Sequence, residues 1–216
     1  MEKLDKKQFL KVTVLLVISR MADLVTTYLI TPDLELESNS FLKLLGWPGM
    51  IFFQIMLVNL VLFLEYKRLS NPEQTSFEGY PRGMKIIDFM HLHLFNTPRK
   101  KPYQMVLAVP TNLSVLIDVA GYVLSRALIC AGILISLSSA ATLLNENYKE
   151  FYVHHRLWNM AYVLTALFAV LFHYHFLYGK YRRYRRFMEK TDVNESESVI
   201  TLRADSAHAE QSSVEA

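Results

Sequence analysis

The sequence contains a single cysteine, Cys130, among its 216 residues, so no disulfide can form within the chain. It also lacks the short motifs of several common catalytic sites. There is no Walker loop, no Gly-rich dinucleotide fingerprint, no Gly-x-Ser-x-Gly elbow and no His-Glu-x-x-His pair. No internal repeat is evident. These absences remove the most direct evidence for an enzyme, and we expect no cofactor.

What the sequence does have is long hydrophobic runs, with 52% hydrophobic residues and a mean hydropathy of +0.18. A bilayer core about 30 Å thick needs roughly 20 mostly apolar residues per helix. Four stretches reach that length: about 9–30, 48–66, 113–144 and 157–179. They predict an all-α integral membrane four-helix bundle within residues 1–190. Arg20 and Asp23 fit poorly with a signal-peptide cleavage site, so the first stretch is predicted to be retained.

The distribution of Lys and Arg predicts the orientation of these spans. The N-terminal segment, the loop from about 67 to 103 and residues 180–190 together hold seventeen basic residues, whereas the other two loops hold three. Because basic residues favour the cytoplasmic side, both termini are predicted to be cytoplasmic.

Two segments outside the spans are expected to have distinct roles. Residues 84–95 are too short and too charged to span, and we interpret them as a cytoplasmic amphipathic segment at the membrane interface. Residues 191–216 are rich in Glu, Ser and Ala and are predicted to form a disordered cytoplasmic tail. The expected partners are the lipid bilayer and anionic lipid headgroups, which would face the basic cytoplasmic segments; nucleic acid is not expected.

Charged residues inside the apolar stretches are the main candidates for a site, since each costs roughly 2.5–3.5 kcal/mol in a bilayer. Arg20 and Asp23 are three residues apart, so they can pair on one helix face, with Thr27 one turn further. Arg126 is expected near the middle of the membrane, within reach of Asp23. One hypothesis is a polar pocket open to the outside. Its ligand-binding candidates are Arg20, Asp23, Thr27, Glu37, Asn39 and Arg126.

The alternative is that these residues are ion pairs and interhelical hydrogen bonds that hold a bundle in register. Secondary candidates fall on similar helical stripes: Asp118 in the third stretch, and Asn159 and His173 in the fourth. Six of the seven histidines occur in close pairs, but residues two positions apart diverge by about 200° on a helix. We therefore expect no metal site.

The segment Arg20-Met-Ala-Asp23-Leu-Val-Thr26-Thr27-Tyr28, followed by Glu37-Ser-Asn39, resembles an uncharacterised family of small prokaryotic membrane proteins. That family carries Asp-x-x-Thr-Thr in its first helix and Glu-x-Asn-Pro in the following loop. Here Ser40 stands where the family usually has Pro. The resemblance implies that Asp23, Thr27, Glu37 and Asn39 act together at the outer membrane face. It also implies a prokaryotic cytoplasmic membrane, and it brings no established activity.

Three functional hypotheses follow from the sequence. The first is binding or transport of a small polar solute or ion through an intramembrane polar site. The second is a non-catalytic membrane scaffold or assembly factor. The third is an intramembrane enzyme that uses Asp23 or Glu37 as acid or base. Four short helices leave little room for a pathway within one chain, which is compatible with a homo-oligomer.

Overall fold

The computed structural model describes residues 6–35, 40–70, 77, 79–96, 113–155 and 157–214, without the side chains of 40–42, 158, 161 and 194–214. The regular structure within these ranges is entirely helical, which confirms the all-α prediction. The helices are α1 (Lys6–Ile30), α2 (Ser40–Ser70), α3 (Ile86–Phe95), α4 (Leu113–Leu144), α5 (Glu146–His154) and α6 (Met160–Val214), with a short 3-10 turn at Leu157–Asn159.

Three helical segments are long and apolar enough to cross a membrane: Lys43–Ser70 in α2, Leu113–Leu144, which is α4, and Tyr162–Val193 in α6. They contain or overlap the last three of the predicted apolar stretches. The first stretch lies in α1, which has 25 residues. At 1.5 Å per residue α1 is about 37 Å long, so it has the length of a span.

Helix α4 is the centre of the fold, since α1, α2 and α6 all pack against it. Consecutive long helices run in opposite directions, so α1 and α4 run in the same direction. The rings of Phe9 in α1 and Tyr66 in α2 lie 6.0 Å apart at one end, while those of Tyr28 and Trp47 lie 5.1 Å apart at the other. At the Tyr66 end α4 begins, and there Asp118 contacts α6.

The turn between α1 and α2 is held by Trp47, whose indole Nε1 donates a hydrogen bond of 2.7 Å to the carbonyl oxygen of Pro32. Helix α2 is kinked at Gly46, which has a φ of 63°. This left-handed conformation favours glycine because a Cβ would be strained there. The part of α2 after the kink contains the predicted stretch 48–66.

Helix α3 is more deeply buried against protein than the interpretation as an interfacial segment predicts, and its position relative to a membrane stays a prediction. Six of its ten residues are buried. The ring of Phe89 packs 5.1 Å from that of Tyr184 in α6, and the Tyr184 hydroxyl donates a 2.6 Å hydrogen bond to the carbonyl oxygen of Pro81. Tyr184, near the basic end of α6, therefore contacts protein. Aromatic residues suit both a membrane interface and a protein core, so the sequence pattern does not predict these contacts.

His93 of α3 is buried among the aromatic side chains that pack between α3 and α6. Its ring stacks on Phe89 at 5.3 Å between centroids, and its Nδ1 lies 3.3 Å from the Tyr80 hydroxyl oxygen. Burial lowers the pKa of His93 to about 4, and the positive charge of Lys180 acts in the same direction. His93 is therefore neutral at physiological pH and adds no charge beside Lys180.

Helix α6 continues without a break to Val214, through residues whose composition predicts disorder. The Ala and Glu residues of this segment have high intrinsic helix propensity, which favours a helical backbone. Side chains of α6 are described as far as Val193. The disorder of residues 191–216 stays a prediction.

Gly121 lies where α4 closely approaches α2, so a substitution there tests this contact. A Cβ added there would lie 2.7 Å from the carbonyl oxygen of Leu64, whereas one added at Gly179 of α6 would meet nothing within 4 Å. We expect Gly121→Ala to destabilise the protein by about 1–3 kcal/mol, because two backbones must separate. Gly179→Ala, the matched control, should keep or raise the melting temperature in detergent. Equal melting temperatures for the two variants would contradict this packing.

Candidate functional site

Arg20 and Asp23 form the ion pair that their spacing predicts. Arg20 Nη1 lies 3.3 Å from Asp23 Oδ2, and both side chains are largely buried. Arg20 also crosses to α4, where Nη2 donates a 3.1 Å hydrogen bond to the carbonyl oxygen of Leu128. The arginine therefore links α1 to the backbone of α4.

Gly132 makes this crossing possible. A Cβ on Gly132 would collide with the guanidinium of Arg20, so the absence of a side chain there lets the arginine lie against α4. Arg20 Nε is buried and has no hydrogen-bond partner in the part of the chain that the structure describes. Burying an unpaired donor has a free-energy cost, which the ion pair and the Leu128 hydrogen bond offset. This arrangement has the character of a helix–helix clamp.

A second group of charges lies where α2 ends. Glu65 of α2 is fully buried between two arginines. Arg68 binds it through Nε and Nη2, both at 2.8 Å, and Arg126 of α4 binds it through Nη1 at 3.0 Å. We call Glu65, Arg68, Tyr122, Ser125 and Arg126 the Glu65 cluster. It joins α2 to α4 as Arg20 joins α1 to α4.

The ring of Tyr122 lies under both arginines. The guanidinium carbon of Arg126 is 4.0 Å from the ring centroid, and that of Arg68 is 5.5 Å from it. Arg126 Nη1 also donates to Ser125 Oγ at 2.7 Å and to the Tyr122 carbonyl oxygen at 3.3 Å. Cation–π contact and these hydrogen bonds fix both guanidinium groups in place without neutralising their charge.

Asp118 and Lys180 add a third charged contact, this time between α4 and α6. Lys180 Nζ lies 3.2 Å from Asp118 Oδ2, and both side chains are about nine-tenths buried. Asp118 also interacts electrostatically with Arg68 and Glu65. The pair and the Glu65 cluster thus form one electrostatic unit, in which three buried cationic side chains meet two carboxylates within the part of the chain that the structure describes.

The structure places Arg126 and Asp23, two residues of the predicted pocket, in two separate charged contacts. Arg126, expected within reach of Asp23, instead binds Glu65, because α2 lies nearer to its side chain. Thr27 is half-buried on α1, one turn beyond Asp23. Glu37 and Asn39 lie outside the described residues, so their part in the pocket stays a prediction.

The secondary candidates also lie apart from one another. Asp118 is buried in its pair with Lys180, Asn159 is exposed in the 3-10 turn, and His173 is half-buried in α6. Among the described residues no group of three or more His, Cys, Asp or Glu side chains is arranged to hold a metal ion.

Sequence reasoning missed three members of the charged unit. Glu65 lies inside the predicted stretch 48–66 without being singled out as a candidate, Arg68 falls in the basic loop that begins at about 67, and Lys180 is the first residue of the basic segment 180–190. One signal was available. Glu65 is the only acidic residue between Gly46 and Ser70, and Arg68 stands three positions later, the spacing of a helical ion pair.

No protein-family model matches the sequence, and no curated protein or solved structure matches it. The resemblance to the prokaryotic Asp-x-x-Thr-Thr family stays a prediction.

Substitutions in the Arg20–Asp23 pair test its role directly. If it is a structural clamp, Asp23→Asn leaves a buried charge without its partner and should cost about 3–5 kcal/mol. Adding Arg20→Met removes that charge and should recover much of the stability, as measured by melting temperature in detergent. Glu146→Gln breaks the exposed pair with Lys149, which has the same spacing, and serves as the control. Unchanged stability in Asp23→Asn would contradict the clamp.

Proposed function

We propose that the chain is a four-span protein of a prokaryotic cytoplasmic membrane, with both termini in the cytoplasm and α1, α2, α4 and α6 as spans. The length of α1 supports the fourth span, as does the apolar surface that it exposes. Its exposed large apolar residues include Leu10, Val14, Leu15, Val17, Ile18, Met21 and Val25. The positive-inside rule favours the orientation in which the Glu65 cluster lies toward the cytoplasm.

Within that framework, we propose that the protein binds a small polar solute or ion, specifically an anion, at the Glu65 cluster. The observation that carries the proposal is the imbalance of charge. Among the described residues of this unit, the buried cations Arg68, Arg126 and Lys180 outnumber the two carboxylates, and all three cationic side chains are at least four-fifths buried. In a poorly hydrated setting an excess positive charge is costly, and a bound anion relieves that cost.

The arginines also keep donors available for such an anion. Nη1 of Arg68 and both Nε and Nη2 of Arg126 have no hydrogen-bond partner among the described residues. Two guanidinium groups held rigidly by a shared carboxylate and a tyrosine ring are preorganised for a planar or tetrahedral oxyanion.

A scaffold or assembly role is the second candidate, and the Arg20 clamp favours it. That pair is neutral, is bonded to the backbone of α4 and leaves little for a ligand to bind. If the Glu65 cluster has the same purely structural role, anions will not stabilise the protein.

Thermal unfolding in detergent at constant ionic strength separates these candidates. Inorganic phosphate should raise the melting temperature of the wild type, by an amount equivalent to about 2.7 kcal/mol at a hundredfold excess over the dissociation constant. Arg126→Gln should lose this effect, because Glu65 keeps Arg68 while the anion loses two donors. Arg185→Gln, which breaks an exposed pair with Glu189, should respond as the wild type does. No phosphate effect, or equal effects in all three proteins, would contradict anion binding at this cluster.

A further inference from the structure

The Glu65 cluster lies at one end of a gap between two helices. In the part of the chain that the structure describes, α2 and α6 both pack against α4 and scarcely contact each other. The ring of Tyr122 on α4 bridges that gap: Arg68 of α2 lies over it, and His175 of α6 stacks against it at 6.2 Å between centroids. The gap is therefore a groove whose floor is α4 and whose charged end is the Glu65 cluster.

The floor of the groove becomes apolar beyond Arg126. Cys130, Ile133 and Leu137 follow Arg126 by four, seven and eleven residues, a spacing that keeps them on one face of α4. Cys130 is partly exposed, and the exposed fractions of Ile133 and Leu137 are 43% and 62%. This strip is accessible along its length and carries no charge.

On the α2 side, residues four positions apart lead to Arg68. They are Leu60, Leu64 and Arg68, and Leu60 is about half exposed. The groove thus combines an apolar strip on α4 with one cationic end.

We propose that the anion bound at the Glu65 cluster is the phosphate of an anionic membrane phospholipid, with one acyl chain lying along Ile133 and Leu137. This inference rests on the proposed function and names its ligand class. Charge complementarity assigns the phosphate to Arg68 and Arg126, whose unpaired donors form charge-assisted hydrogen bonds with phosphate oxygens. A free anion leaves the apolar strip exposed, whereas a hydrocarbon chain bound along the strip buries its apolar surface, which is favourable. A groove open sideways to the bilayer admits a lipid without a path through water.

The test follows lipid retention by native mass spectrometry of the full chain in detergent, with phosphatidylglycerol or phosphatidylcholine added. The wild type should retain phosphatidylglycerol preferentially. Arg126→Gln should lower that retention about tenfold, the effect of losing a hydrogen-bonded charge. Ile133→Trp should lower it too, since the indole fills the chain path, while leaving the inorganic phosphate effect on melting temperature intact.

Leu124→Trp is the matched control. Leu124 is 38% exposed and lies two residues before Arg126, about 200° around α4, so the same bulk is placed on another face. It should retain phosphatidylglycerol as the wild type does.

The outcomes separate this inference from the function on which it rests. If phosphate raises the melting temperature but phosphatidylglycerol is retained no better than phosphatidylcholine, the ligand is a free anion and the lipid inference fails alone. Full retention in Ile133→Trp would remove the assigned chain path. If the wild type shows neither a phosphate effect on its melting temperature nor a preference for phosphatidylglycerol, the anion site itself is overturned.

Discussion

The fold depends on the pairing of charged side chains across the surface of α4. Each long helix that packs on α4 makes a charged contact with it: Arg20 of α1 at the Leu128 carbonyl, Glu65 of α2 at Arg126, and Lys180 of α6 at Asp118. In apolar surroundings such contacts are strongly directional, because an unpaired charge there is far more costly than one in water. Apolar packing alone would leave the rotation and height of each helix loosely specified. The three contacts fix both.

These contacts differ in how completely they neutralise their charges, and the proposed function rests on that difference. Arg20 has Asp23 on its own helix and a backbone carbonyl on α4, so its contact is self-contained. The Glu65 cluster shares one carboxylate between two arginines. On the proposed function, a ligand that brings negative charge completes the second contact and has nothing to add to the first. The apolar groove beside the cluster favours, on the same proposal, an anion that carries a hydrocarbon chain.

Much of this architecture is predictable from residue types, but the site is not. Hydrophobic run lengths locate the long helices, and the spacing of Arg20 and Asp23 predicts their pair because both residues lie on one helix. Which helix faces Arg126 depends on the rotation of α2 and α4, and the sequence pattern leaves that rotation open. Helix α3 shows the same limit: its aromatic residues suit a membrane interface and a protein core equally, so the pattern does not predict that Phe89 packs against Tyr184. Tertiary context also explains why Lys180, first in a basic run, is paired within the bundle.

The measurement that tests the account most directly is the sidedness of α1, since the position of the charged unit in the membrane depends on four spans. Single cysteines at Lys6, Ser70 and Leu144, each an exposed position, can be placed in a Cys130→Ser background. They are then labelled with a membrane-impermeant maleimide in right-side-out and inverted vesicles. The account predicts labelling of positions 6 and 70 from the cytoplasmic side and of position 144 from the outside. Labelling of positions 6 and 70 from opposite sides would show that α1 does not cross the membrane and would contradict it.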